Sequence, residues 1–279
     1  MTETSLRRAD LRADCSSCFA LCCTAFGFSR SADFAEDKPA GLPCPHLDAG
    51  FGCSIHDRLL SRGFRGCTVF DCFGAGQVVS RRLFSGTSWR ERPDTRDRMF
   101  SAFGVLQQVH EMIWYLLEAR ERTYDPETAD EARSLTEALV SLTHGDVDVL
   151  ISIDIDEARD SVRKVLTTVS EQVRSSYFAD DGQTHESLVP GADLAGTNLR
   201  GYRMYGADFR GAVLIGADLG GCDLAGADLL GADLRDTHVE DADLSRALYL
   251  TQRQIAAAHG NGRTRLPAFV TVPTSWACE

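Results

Sequence analysis

A chain of 279 residues has room for one large domain or for two to three small ones. Its formal net charge of -12 argues against a general nucleic-acid or membrane-surface binder, which would need a basic face to engage phosphates. The charge is uneven: residues 1–90 carry 11 Lys and Arg against 9 Asp and Glu, residues 91–187 carry 10 against 21, and residues 188–279 carry 8 against 11. The chain thus reads as a Cys-rich metal-binding domain over 1–90, a helical linker or bundle over 91–187 and a repeat domain with a C-terminal helical cap over 188–279.

The opening stretch "MTETSLRRADLRAD" has arginines but no apolar segment behind them, so it does not read as a signal peptide. No uninterrupted apolar run approaches the length of a membrane span. Both point to the cytoplasm, where thiols stay reduced and clustered cysteines more often mean metal or redox chemistry than disulfides. The cluster itself is Cys15, Cys18, Cys22 and Cys23 in "CSSCFALCC", then Cys44, Cys53, Cys67 and Cys72 in "CPHLDAGFGCSIHDRLLSRGFRGCTVFDCFGAGQ". A CxxC pair offers two thiolates from one tight turn, and zinc prefers four such soft ligands in a tetrahedron. Iron–sulfur clusters use the same donors, so spacing alone does not choose between zinc and iron. Eight thiols can fill two four-ligand sites or one site with sulfurs to spare. His46 and His56 lie close enough to a cysteine to permit mixed ligation.

Two other readings of the head are weaker. Cys22 and Cys23 could form a thiol relay, but adjacent residues bridge each other only with backbone strain. "FGAGQ" at 73–77 hints at a phosphate loop, yet it is only a GxG without the third glycine and downstream acid of a dinucleotide fold. The CxxC followed by a Cys pair, with "CPHL", "CSIH" and the later cysteines, resembles the YkgJ-type Cys-rich family over about residues 14–77. That resemblance implies zinc or iron chelation with the eight cysteines as ligands, without a partition between sites. A metal that merely folds the small head ranks ahead of a catalytic one.

Helices are expected through 94–178. Phe100, Phe103, Leu106, Val109, Ile113, Leu116 and Leu117 fall near one helical stripe. Asp125 suits an N-cap with Pro126 behind it, Gly145 a stop, and Asp154 a second cap before a stripe of Ala158, Val162, Val165, Val169 and Val173. His110 and His144 stand alone and read as ordinary helix residues. The polar stretch over 178–190 reads as a linker.

From Gly191 the chain repeats every five residues. The eleven centres, from Leu194 and Leu199 through to Val239 and Leu244, are all apolar. Two residues before each centre the side chain is small, Tyr202 excepted, and just before the centre stands Asp in seven units. Neither a 3.6-residue helix nor a two-residue strand explains a period of five, whereas a coil sending one large and one small side chain inward does. The pattern resembles the pentapeptide-repeat family, which implies a right-handed quadrilateral β-helix, four repeats per turn, with Met204, Leu224 and Leu244 stacked. The whole is then multidomain α+β, with the repeat Asp residues forming a solvated acidic face. Thr251 is a candidate cap for a closing helix over 252–258.

The leading function is a non-enzymatic, cytosolic metal-binding scaffold, holding zinc or iron in the head and docking a protein partner on the repeats. The first rival is an iron or iron–sulfur redox enzyme. The second is a DNA-mimic topoisomerase inhibitor, for which the acidic stack is short.

Overall fold

The computed structural model describes residues 6–177 and 188–276, so most of the expected 178–190 linker lies outside it. The chain divides into two compact units, one of Met1–Leu117 with Asp130–Lys164, the other of Glu118–Ala129 with Val165–Glu279.

The first unit begins with the head, in which three short helices, α1 (Cys22–Ala25), α2 (Arg65–Thr68) and α3 (Ala75–Gln77), stand among turns. Helix α4 (Arg96–Arg122) gives its first turns to this unit. There Met99, Phe103 and Leu106 are almost completely buried and join Phe19, Leu21, Val79 and Trp89 in one core. Helix α5 (Pro126–His144) starts where its cap predicts: the Asp125 carboxylate accepts from the Thr128 amide at 3.0 Å, satisfying a donor with no partner inside the helix. Helix α6 (Val147–Ile151) and helix α7 (Ile155–Ser175) are capped the same way by Asp146 and Asp154. On α7 the buried stripe is Val162, Val165, Leu166, Val169 and Val173.

The second unit contains the repeats. All eleven centres from Leu194 to Leu244 are at most 3 % exposed, and they form one continuous apolar column. The register is twenty residues: Asp193 bridges Val213, Val213 bridges Asp233, and Asp208 bridges Asp228, all in parallel. The Leu194 amide donates to the Val213 carbonyl at 2.8 Å, and the Val213 amide returns to Ala192 at 2.9 Å.

The expected α+β fold with a right-handed quadrilateral β-helix is corrected by this arrangement. Among the described residues there is no strand and no sheet. Every regular element is a helix, and the repeats are joined by isolated single-residue bridges. The reason lies in the period of five. Each side of the coil is bounded by turns, and between two turns one residue is free to pair with the next rung, too short a run to become a strand. The turns follow the same count. Nine glycines, from Gly191 to Gly231 at every fifth position, have φ between 64° and 78°, a region that penalises a Cβ. At the next two positions Asp236 and Asp241 hold the same left-handed backbone without glycine, at 56° and 61°.

The repeat aspartates also depart from expectation. Their Oδ1 atoms turn back to accept the amide two residues on, as from Ala225 to Asp223 at 2.9 Å and from Leu230 to Asp228 at 2.8 Å, which closes each corner. Arginines cover several of them: Arg200 on Asp218, Arg235 on Asp233, Arg265 on Asp243. Asp208 and Asp228 are buried. The outer surface is therefore a set of turn locks and ion pairs, not an open acidic face. Tyr202, the one large residue at a small position, is exposed, while Cys222 packs inside and its thiol reaches the Leu199 carbonyl at 3.3 Å.

Helix α8 (Gln252–Ala257) closes the column. The Thr251 hydroxyl accepts from the Gln254 amide, and Ile255, Val270 and Trp276 join the core. The Gln254 side-chain amide donates to the carbonyls of Leu229 and Ala232 at 2.7 and 3.1 Å, tying the closing helix to the backbone of the coil.

Candidate metal centre

The head has too few apolar residues to bury its own backbone, so long-range polar contacts do much of the positioning. The Asp14 carboxylate holds the turn at Cys15–Ser17 by accepting from Ser16, and the Asp14 amide donates to the Gln77 side chain at 3.1 Å. Gln77 in turn donates to the Arg12 carbonyl at 2.7 Å, pinning the segment before the CxxC turn against the loop that carries Cys72. Trp89 Nε1 donates to the Phe19 carbonyl at 2.9 Å, and the Phe19 amide donates to Ser80.

Gly76 explains the "FGAGQ" motif without a phosphate. A Cβ there would stand 2.7 Å from Cys18 Sγ and 3.8 Å from Cys72 Sγ, so the glycine leaves room for two sulfurs. The backbone N–H groups of Gly76 and Gly74 favour a thiolate at Cys72, and those of Leu21 and Ala20 one at Cys18, although burial dominates. It pushes the Cys18 thiol up and that of Cys72 up to about 11.

Cys22 and Cys23 open α1 with their sulfurs 3.9 Å apart. The two thiols share a hydrogen bond, and that contact together with burial holds the Cys22 proton well beyond the ordinary thiol range. Cys23 is drawn down to about 7 by that bond, assisted by the Lys38 ammonium. Lys38 is 3 % exposed, and its Nζ donates to the carbonyls of Thr24 and Pro39 at 3.3 and 3.2 Å and also to that of Phe26. Burial lowers its pKa, while the sulfurs of Cys44, Cys23, Cys22 and Cys67 favour its charge. The Cys44 amide donates to the Cys23 carbonyl at 2.9 Å, which ties the second cysteine block to the first. Cys53 bridges Leu47. Burial and the neighbouring Cys23, Cys44 and Cys53 push Cys67 up to about 12.

Mutual electrostatic influence connects the thiols into one set with Cys23 at its centre. Cys15 feels Cys18 and Cys23, Cys18 feels Cys23, Cys22 feels Cys23, Cys18 and Cys15, and Cys72 feels Cys18. Cys67 feels Cys23, Cys44 and Cys53, and Cys44 feels Cys23 and Cys53. Contact is closest at Cys22–Cys23 and around Gly76; among the described residues no three His, Cys, Asp or Glu side chains close into a ready metal cage. His46 faces Glu36 at 3.7 Å and packs its ring on Phe64, and His56 lies exposed on its own turn. His110 is buried, with Nδ1 at 2.7 Å from the Phe73 carbonyl, and burial depresses it to about 4, so it stays neutral inside the core.

Sequence reasoning missed Lys38 and Gly76. Both had a signal: Lys38 is the lone lysine in a head whose other cations are arginine, and Gly76 sits four residues from a clustered cysteine.

With this geometry the class is defined by the repeats: residues 191–224 and 212–248 match the family described as Pentapeptide repeats, in eight copies. The resemblance extends well beyond them. Over 267 residues, 96 % of this chain and 95 % of the relative, the sequence is 47 % identical to the uncharacterized protein YybG of Bacillus subtilis strain 168, and the chain belongs to the same family as that protein. Its cysteine-rich head is thus part of a shared whole rather than an appendage to the repeats. Among the described residues, no helix is long and apolar enough to cross a membrane.

Proposed function

We propose that the chain is a non-enzymatic, cytoplasmic interaction scaffold, with a head over 1–90 that takes thiophilic metal ions and a repeat region over 188–279 that meets a protein partner. The helical 91–187 joins them. A pentapeptide-repeat region by itself suggests an interaction scaffold.

The observation that carries the metal reading is the gathering of the thiols around Cys23, whose sulfur lies 3.9 Å from that of Cys22 and which acts electrostatically on Cys15, Cys18, Cys44 and Cys67. Thiols that raise one another's pKa are a donor set in search of a cation, and nearby backbone N–H groups favour the thiolate at Cys18, Cys72 and Cys44. Zinc is preferred to iron because the head needs a cross-link to fold, and zinc supplies one without redox chemistry. Cys23 needs the least proton release on binding, and Lys38 offsets the negative charge of a four-thiolate site.

Purification without oxygen, metal analysis by mass spectrometry and a visible spectrum test this. Stoichiometric zinc in a colourless chain is expected. A brown chain with iron and acid-labile sulfide would replace the reading with the redox enzyme, and a folded chain with no stoichiometric metal would end it. The DNA-mimic reading loses ground because arginines neutralise much of the acidic surface; a gyrase supercoiling assay without inhibition at micromolar protein is expected.

A further inference from the structure

Within the second unit, the last turns of α7 lie against one side of the coil through a buried polar cluster. Asp208 and Asp228 are stacked one rung apart. Asp208 is satisfied twice over, by Arg174 of α7 at 2.8 Å and by Arg210 at 2.6 Å. Asp228 is not. Its side chain is fully buried and its Oδ1 closes a corner, but its Oδ2 makes no hydrogen bond, and Arg210 Nε stands 3.7 Å away. Ser170 Oγ on α7, also fully buried, faces it out of hydrogen-bonding geometry.

An orphaned carboxylate oxygen and an orphaned hydroxyl on opposite sides of one contact are uncommon in a native core and call for a role. A Leu at 228 would lose the corner bond, whereas an Asn would keep it and satisfy both groups without charge.

We propose that Asp228 is a proton-operated latch for the C-terminal half of α7. With its proton on, Oδ2–H donates to Ser170 Oγ and α7 stays seated; with the proton lost to solvent, a bare carboxylate is left in a dry site and the helix turn lifts to let water reach it. The inference is independent of the metal reading, since it uses no cysteine.

The surroundings agree with that direction. Burial outweighs the help of Ser170, the Leu230 amide and Arg210 and raises Asp228 to about 6, with Asp208 adding repulsion. The other charged and titratable groups around the cluster are Glu171 and Arg174 on α7, Glu118 and Arg122 at the end of α4, and the buried Tyr249. Tyr249 fastens the same helix from the coil side. Its hydroxyl donates to the Leu166 carbonyl at 3.0 Å and its amide to Glu118 at 3.1 Å. Burial pushes the tyrosine hydroxyl far up, so it does not titrate alongside Asp228. Because the seated state raises an acid's pKa, seating is favoured at low pH and weakened as pH rises through the seated value.

Hydrogen exchange of peptides covering 165–175 in the full-length chain, corrected for intrinsic rates, tests the latch. With Asp228 at about 6 when seated and near the ordinary Asp value when open, linkage gives an opening equilibrium about tenfold greater at pH 7 than at pH 5. D228N keeps the corner bond and donates an amide proton to Ser170 at every pH, so it should remain protected and lose the pH dependence. Equal protection of the wild type at both pH values would overturn the proposal, as would a tenfold change that persists in D228N. If D228N lowers protection throughout the coil, S170A decides: it removes the acceptor of the Oδ2 proton, so protection of 165–175 at pH 5 must fall toward the wild-type level at pH 7, and unchanged protection at pH 5 would also overturn the latch.

Discussion

The two ends of this chain solve the same shortage in opposite ways. Neither the head nor a single repeat can bury enough apolar surface alone. The repeats stack, so each rung borrows its neighbour's core, and stability accumulates rung by rung. The head folds back on itself through long-range polar contacts around eight thiols, with no repeat to share the cost. Damage to the coil should therefore be local and graded, whereas damage to the head should be collective.

The largest effect expected is in the coil. Phe209→Ala removes a fully buried ring from the middle of the column and should cost about 3–5 kcal/mol in denaturant unfolding, the usual range for such a cavity. The head should respond as strongly to chelation: stripping metal with a strong chelator should collapse near-UV signals from Trp89 while the repeat region keeps its exchange protection. Equal loss in both regions would erase the contrast.

His110 gives a smaller and pH-directed effect. Its folded pKa of about 4 lies below the ordinary 6.5, so its contribution is complete above 6.5 and is lost as pH falls toward 4. The change should approach about 3 kcal/mol, and His110→Asn, which keeps a donor for the Phe73 carbonyl, should flatten the curve. Gly76→Ala should cost about 1–3 kcal/mol and weaken metal retention, because the new methyl must displace Cys18. Gly221→Ala meets open space and should cost only the left-handed backbone penalty, about 1–2 kcal/mol, with metal content unchanged.

In the metal-free head, alkylation should find Cys23 first. Its reactivity should rise with a midpoint near pH 7, while Cys72 stays silent until far higher pH. Mass mapping of the modified peptides reads the order. The smallest effect belongs to Asp236→Gly, which relieves a left-handed aspartate while losing its contact with His259 and should change stability by less than about 0.5 kcal/mol.

Legibility followed periodicity. The eleven inward centres, the nine turn glycines and the helix caps at Asp125, Asp154 and Thr251 could be read because each is a local rule repeated or a short-range bond. The strands expected from the repeats were an over-extension. A period of five does say that the chain coils, but it leaves one pairing residue per side, and one residue is not a strand. The aspartates misled for a related reason: outward position in the pattern says nothing about which arginine or helix covers them, and Asp228 is hidden by α7 from a distant part of the sequence. In the head the cysteines were visible but their grouping was not, since Cys18 and Cys72 meet only through a fold with no period. Gly76 and Lys38 make sense only once those sulfurs are in place.

The twenty-residue register has a consequence for how such a chain can change length. Adding one repeat between Asp208 and Asp228 would turn everything after it by a quarter revolution, separating those two stacked residues and presenting α8 to another side of the first rungs. Adding four would lift the end of the coil by one full rung and return every side to its place. The repeat region therefore grows or shrinks cleanly only in steps of four units, and a duplication of any other size must be accompanied by a new closing segment.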